Sequence, residues 1–151
     1  MSTTMTRDEA EAFLSEVRVG VLSLHEPGRG PLTVPVWYGY EVGGEVSFIT
    51  EPGSRKGKLI AEGQRVSLCV QNEASPYQYV SVEGPIRSIA TADLEKHVRP
   101  LAHRYLGVEA GNTYVDFNQP GEGEGEEPQI IVRFSPERWL TADYGKEYVG
   151  L

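Results

Sequence analysis

The chain is expected to fold as one mostly β domain, an antiparallel barrel with helices at its periphery. Three observations predict this. Apolar stretches of strand length recur with turn residues between them, giving about six strands. Neighbouring stretches are joined by tight turns such as Val42-Gly43-Gly44-Glu45, the mark of hairpins. Helical spacing occurs only at the start, in the middle and late. The regular strand–helix alternation of a doubly wound sheet is therefore missing. A length of 151 residues suits a single domain, residues 1–151, with a substantial core.

The first helix is marked by Thr6-Arg7-Asp8-Glu9, a capping box in which Thr6 is the N-cap and Glu9 the N3 residue. Ala10, Phe13, Leu14 and Val17 then fall on one helical face. Strands are expected over Val19–Leu24, Leu32–Tyr40, Val46–Thr50, Arg65–Gln71, Tyr77–Ile89 and Gln129–Phe134. Pro35 assigns the second of these to an edge or a bulge, because proline lacks the N–H that a central strand must donate. Gly84-Pro85 predicts a bulge or bend in the fifth. A short helix follows Ser54 and ends near Gly63. Thr91 is a candidate cap for a helix with Leu94, Val98, Leu101, Ala102 and Tyr105 on one face, which Pro100 should split and Gly107 should end. Thr113–Phe117 forms one further helical turn, and Pro136–Leu140 follows the last strand.

Lys and Arg total 14 against 22 Asp and Glu, a net charge of -8. So acidic a chain is a poor partner for nucleic acid or an anionic membrane, which leaves small molecules as the expected ligands. The one cysteine, Cys69, lies in an apolar run and is expected to be a buried small hydrophobe. With no disulfide, no apolar signal core and no run of transmembrane length, a cytoplasmic location is expected. The acidic, Gly-rich run 121–127 is expected to be a solvated connector.

Against this background the cations of Ser54-Arg55-Lys56-Gly57-Lys58 stand out. Pro52-Gly53 makes a turn and Ser54 can cap a helix. Three cations in a first helical turn oppose the helix dipole, a cost that makes sense if an external anion binds there. Arg, Lys and free backbone N–H groups suit a phosphate; the plain alternative is a solvated basic turn. Trp37, Tyr38 and Tyr40 either anchor the core or a dimer interface, or form a wall for a planar ring. Tyr77 and Tyr79 share one strand face and carry the same two readings. His25, His97 and His103 have no metal-ligand spacing and read as surface residues, so no metal site is expected. Asp93, Glu95 and Glu137 read as caps and surface carboxylates.

The order helix, strand, Pro35-Val36-Trp37-Tyr38, hairpin, Phe48-Ile49-Thr50, Gly53-Ser54-Arg55-Lys56 and then Arg65-Val66-Ser67-Leu68 resembles the pyridoxamine 5′-phosphate oxidase-like split β-barrel, or flavin/deazaflavin oxidoreductase superfamily. The likeness runs from about Thr6 to Gly84, with an echo at Pro136-Glu137-Arg138-Trp139. It implies an antiparallel split β-barrel and a homodimer with two cofactors in grooves at the interface. It implies that Arg55 and Lys56 hold the cofactor phosphate, with Ser54 and Thr50 assisting, and that Pro35, Val36 and Trp37 run along a flavin-type ring. Lys58 is either a second phosphate ligand, a partner for a tail carboxylate, or a solvated lysine. Tyr79 stands near where the oxidase places a Gln beside the flavin. Leu140-Thr141-Ala142-Asp143-Tyr144 replaces the oxidase's Arg/His segment for substrate phosphate, so pyridoxamine phosphate is not the expected substrate.

The resemblance thus implies an oxidoreductase that transfers hydride to a small organic substrate. A deazaflavin of the coenzyme F-420 type is the favoured cofactor and FMN a close second. A non-catalytic flavin- or haem-binding protein is the alternative. A third reading is a dimeric structural protein whose basic turn binds only sulfate or phosphate.

Overall fold

The computed structural model describes residues 2–118 and 127–147. Helix α1 spans Arg7–Ser15 and begins with the expected capping box: Thr6 Oγ1 accepts from Glu9 N, and Glu9 Oε1 accepts from Thr6 N. Its buried face is Ala10, Phe13 and Leu14. Val17 lies past the helix end and is exposed, because Glu16 has already turned to an extended backbone. The strands are β1 Gly20–Leu24, β2 Leu32–Val36, β3 Val46–Thr50, β4 Arg65–Asn72, β5 Gln78–Thr91, β6 Ile130–Phe134 and β7 Arg138–Asp143. The remaining helices are α2 Arg55–Lys58, α3 Arg99–Leu106 and α4 Val108–Phe117, with a π-helical turn at Leu94–Val98 before α3.

All strand pairings are antiparallel, in the order β2-β1-β4-β5-β6-β3, and β7 pairs with β5. Strand β5 is the spine. Its first part, Gln78–Pro85, pairs with β4 on one side and with β7 on the other; its last part, Ile86–Thr91, pairs with β6. The partner changes after Pro85, and the irregularity expected at Gly84-Pro85 falls just beyond it, as a register shift between Ile86 and Ser88. The curled sheet closes on a core that includes Leu22, Tyr38, Phe48, Val66, Val82 and Phe134. This is an antiparallel split β-barrel.

Several expectations change. β7 is an additional strand, anchored by pairing Gln78↔Asp143 through Glu83↔Arg138. β2 ends at Val36, and only the isolated Gly39↔Ser47 bridge continues it. β2 is an edge strand, which is how Pro35 is accommodated. Asp93, not Thr91, caps the middle helix, because Thr91 is still in β5 while the Asp93 carboxylate accepts from Glu95 N and Lys96 N. Pro100 does divide the segment, π-helical before it and α-helical around it. Gly107, at φ 84°, ends α3 and opens α4, which is twice the length expected. α2 is a single turn that stops at Lys58, well short of Gly63. Cys69 is exposed on the outward face of β4, since the buried positions of that strand are Val66, Leu68 and Val70. Neighbouring side chains still desolvate its thiol enough to raise its pKa. Among the described residues no helix is long and apolar enough to cross a membrane. The acidic run 121–127 lies outside the described residues except for Glu127.

The last 3-10 turn is tied back to α1 by Lys146 Nζ, 2.8 Å from Glu9 Oε1. That contact, with the Thr6 bonds, holds the Glu9 carboxyl down at about 2. A carboxylate with a lowered folded pKa stabilises the fold fully above its unfolded value of 4.5, and this is lost as pH falls towards 2. Glu9→Gln should therefore flatten part of the acid limb of stability between those pH values. Urea midpoints measured against pH would show it, and an unchanged acid limb would contradict the coupling.

Candidate functional site

The basic turn is built from short-range bonds. Ser54 Oγ accepts from Gly57 N at 3.0 Å and donates to Glu51 O at 2.7 Å, while the Ser54 amide also donates to Glu51 O. Thr50 Oγ1, on a residue only 5% exposed, lies 3.3 Å from Ser54 Oγ. Gly57 is required here. A Cβ at 57 would overlap Glu51 O and come within 2.8 Å of Pro52 O. α2 has only four residues, so its dipole contributes little and the cations themselves carry the electrostatics.

Those cations differ in their surroundings. Arg55 is 57% exposed and is gripped by the Glu26 carboxylate from the β1–β2 turn, with Nε 3.0 Å from Oε2 and a second bond from Nη2 to Oε1. The pairing lowers the pKa of Glu26. Lys56 is half-buried and makes no ion pair with any described carboxylate. Burial alone pushes its pKa down. Lys58 is exposed.

Two cavities adjoin this turn. One, of about 480 Å³, is lined by Thr50, Ser54, Arg55, Lys56, Val34 and Leu32 among others. The second, of about 400 Å³, is lined by Lys56, Pro35, Val36, Trp37, Leu101 and Tyr114 among others. Ile49, Glu51, Lys56 and Gln129 line both, so they form one groove along β2 with Lys56 at the junction. Glu51 adds a negative charge to the same wall. Trp37 stacks on Tyr105 of α3, ring centroids 4.9 Å apart and 4° from parallel, and tilts against Tyr114 of α4 at 5.5 Å. It both anchors the helix pair to β2 and lines the groove. Tyr105 is fixed in turn: its hydroxyl donates to Arg18 O at 2.6 Å and accepts from Tyr38 N at 3.0 Å.

The structure thus gathers Pro35, Val36, Trp37, Thr50, Ser54, Arg55 and Lys56 in one groove. Lys58 and Tyr79 line neither of its parts. Tyr79 sits on β5 with its ring 6.0 Å from that of Tyr77. Sequence reasoning missed Glu26, Glu51, Tyr114 and Gln129. The first two are local acids with no motif, and the last two come from segments read as a short turn and a strand start. Among the described residues no cluster of His, Cys, Asp or Glu could hold a metal. His97 Nδ1 accepts from Asp93 N, and His103 Nε2 lies 2.6 Å from Asn112 Oδ1.

Fold and groove together define a split-barrel protein with a basic turn at one end of an aromatic-lined cleft. The chain belongs to the pyridoxamine 5′-phosphate oxidase family, whose model matches residues 6–143. No curated protein matches the chain. Solved structures share its fold. A conserved hypothetical protein of Mycobacterium tuberculosis, Rv2991, is 22% identical with a TM-score of 0.75, covering 99% of this chain and 92% of that one. An F420 reductase is 19% identical with a TM-score of 0.65, covering 86% and 94%. An FAD and haem binding protein of Mycobacterium smegmatis is 16% identical with a TM-score of 0.60, covering 93% and 72%.

Proposed function

We propose that the chain is an oxidoreductase that holds a deazaflavin of the F-420 type, or alternatively FMN, in this groove and acts on a small organic substrate. One observation carries the reading. Lys56 is a cation stripped of part of its water, in an ion pair with no described carboxylate, and placed where two halves of a groove meet. Burying a charge unpaired is costly, and a phosphate would relieve that cost. In this reading Lys56 and Arg55 hold the phosphate, Thr50 and Ser54 offer hydroxyls, and the Pro35–Trp37 wall orients the ring. The bound cofactor would supply the hydride chemistry; the protein binds it, positions it and excludes water. Family membership and the fold shared with an F420 reductase support the choice.

The likeness to an FAD and haem binding protein favours a second reading, binding without turnover. Against haem, none of the three histidines lines the groove. The test is a titration of purified chain with FMN, with the deazaflavin and with haem. Quenching of deazaflavin fluorescence with saturation supports the first reading, and a yellow complex supports FMN. A Soret shift alone, or no binding of any of them, overturns it.

The chain is also proposed to work as a homodimer. Val21, Cys69, Ser81 and Leu140 are cross-strand neighbours in one outward row across β1, β4, β5 and β7, and Val21, Cys69 and Leu140 are exposed. Tyr79 lies on that sheet and lines neither half of its own chain's groove. Leu140, 64% exposed, is the most accessible of the row. Leu140→Lys should convert a dimer to monomer in sedimentation equilibrium while leaving the unfolding of the monomer cooperative. A wild-type chain that sediments as monomer at tens of micromolar would end the proposal.

A further inference from the structure

A second cleft, of about 480 Å³, lies between α3 and the outer face of the β3–β6 pair. Its cations are Lys96, Arg104 and Arg133. None of the three makes an ion pair with a described carboxylate, although the described residues include all 14 Lys and Arg of a chain with 22 acids. Arg133 of β6 has a serine as cross-strand partner on each side, Ser47 on β3 and Ser88 on β5. Arg104 donates from Nη2 to Ser15 O and Glu16 O, but its buried Nε has no partner. The two backbone carbonyls fix the Arg104 side chain at the cleft wall, where its charge stands beside whatever the cleft binds.

The rest of the lining sets the chemistry of that acceptor. Tyr40, Phe48, Ile49, Leu101 and Ile131 make the floor and walls apolar. Glu41 and Glu45, both exposed, stand at the hairpin rim and penalise a ligand of high negative charge. Arginine pairs bidentately with planar carboxylates. We propose that this cleft binds a small organic monocarboxylate with an apolar body, its carboxylate on Arg133 with Lys96 and Arg104 beside it. The volume is within the range of small-molecule sites. The inference takes no support from the cofactor reading, since the basic turn and Lys56 lie outside this cleft.

Benzoate is the probe, with benzamide as its neutral isostere and inorganic phosphate as the competing anion. Amide cross-peaks of Gly39, Gly44 and Ser47, which line this cleft and not the groove, should shift and saturate with benzoate in the 15N-labelled full chain and stay put with benzamide. Arg133→Gln should raise the benzoate Kd by about tenfold or more, the loss expected for one charge-assisted contact. Lys56→Gln should leave it unchanged, which separates this site from the groove. Should Arg133→Gln not fold, exposed Lys96→Gln is expected to weaken benzoate in the same direction. Equal shifts with benzamide, an unaltered Kd in the variant, or phosphate binding at these amides as tightly as benzoate would each overturn the proposal.

Discussion

Replacing Arg55 and Lys56 together by alanine should lower the affinity for FMN or the deazaflavin by on the order of 10²–10⁴-fold, two charge-assisted contacts being removed at once. The two singles should not be equal. Lys56 has no described anion to leave, so its whole interaction with a phosphate is gained on binding. Arg55 must first let go of Glu26, which already holds it in a two-point grip. Lys56→Ala is therefore expected to cost about 10- to 150-fold and Arg55→Ala less. The same logic predicts that Glu26→Gln tightens cofactor binding, because it frees Arg55 without removing it. Stability should move the other way. Lys56 has a folded pKa lowered below 10.5, so its charge penalises folding at every pH below that window. Lys56→Ala should lose cofactor affinity and melt at the wild-type temperature or slightly above it. Isothermal titration with each variant, alongside thermal unfolding, measures both. Unaltered affinity in the double variant would remove the anion site from the reading.

What the sequence disclosed was whatever depends on local chemistry. The capping box at Thr6 and Glu9, the edge position of the strand with Pro35 and the irregularity of β5 just past Gly84-Pro85 are each written in residue types whose backbone limits are strict. The basic turn was legible for the same reason, since Pro52, Gly53 and Ser54 dictate its shape within five residues. What escaped was set by tertiary packing. β7 is too polar at Arg138 and Thr141 to read as a strand until β5 offers it a partner. Cys69 sits in an apolar run, yet the alternation of β4 turns it outward. Glu26 meets Arg55 across 29 positions of sequence, a contact that no spacing rule could announce. Likewise Trp37 could be either anchor or wall on sequence grounds, and only the packing of Tyr105 and Tyr114 against it shows that it serves as both.

Gly84→Ala is expected to be the most damaging single substitution for the fold. A Cβ at 84 would overlap the carbonyl oxygen of Ser135 and lie 2.7 Å from its carbonyl carbon. The obstacle is backbone, so no side chain can swing aside. Nor can the strands part cheaply. Ser135 N donates to Pro85 O at 3.1 Å, Glu137 N donates to Glu83 O at 2.9 Å, and Gly84 is paired with Val66 on its other side. Relief therefore means breaking the crossing at which β5 passes from one half of the barrel to the other. A cost of about 3 kcal/mol or more follows, at the upper end of overpacking effects. For a domain of this size that corresponds to a fall in melting temperature of roughly 6–12 °C. Gly30 is the control. A Cβ there meets nothing within 4 Å and its φ is not positive, so Gly30→Ala should be neutral or slightly stabilising. The damage should also reach the groove, because β6, which leaves this crossing, pairs with β3 and so sets the position of Ile49 and Thr50. Any folded Gly84→Ala protein should thus bind cofactor more weakly than wild type at temperatures well below its own melting point. Melting within 1 °C of wild type would show that the crossing yields where the packing says it cannot.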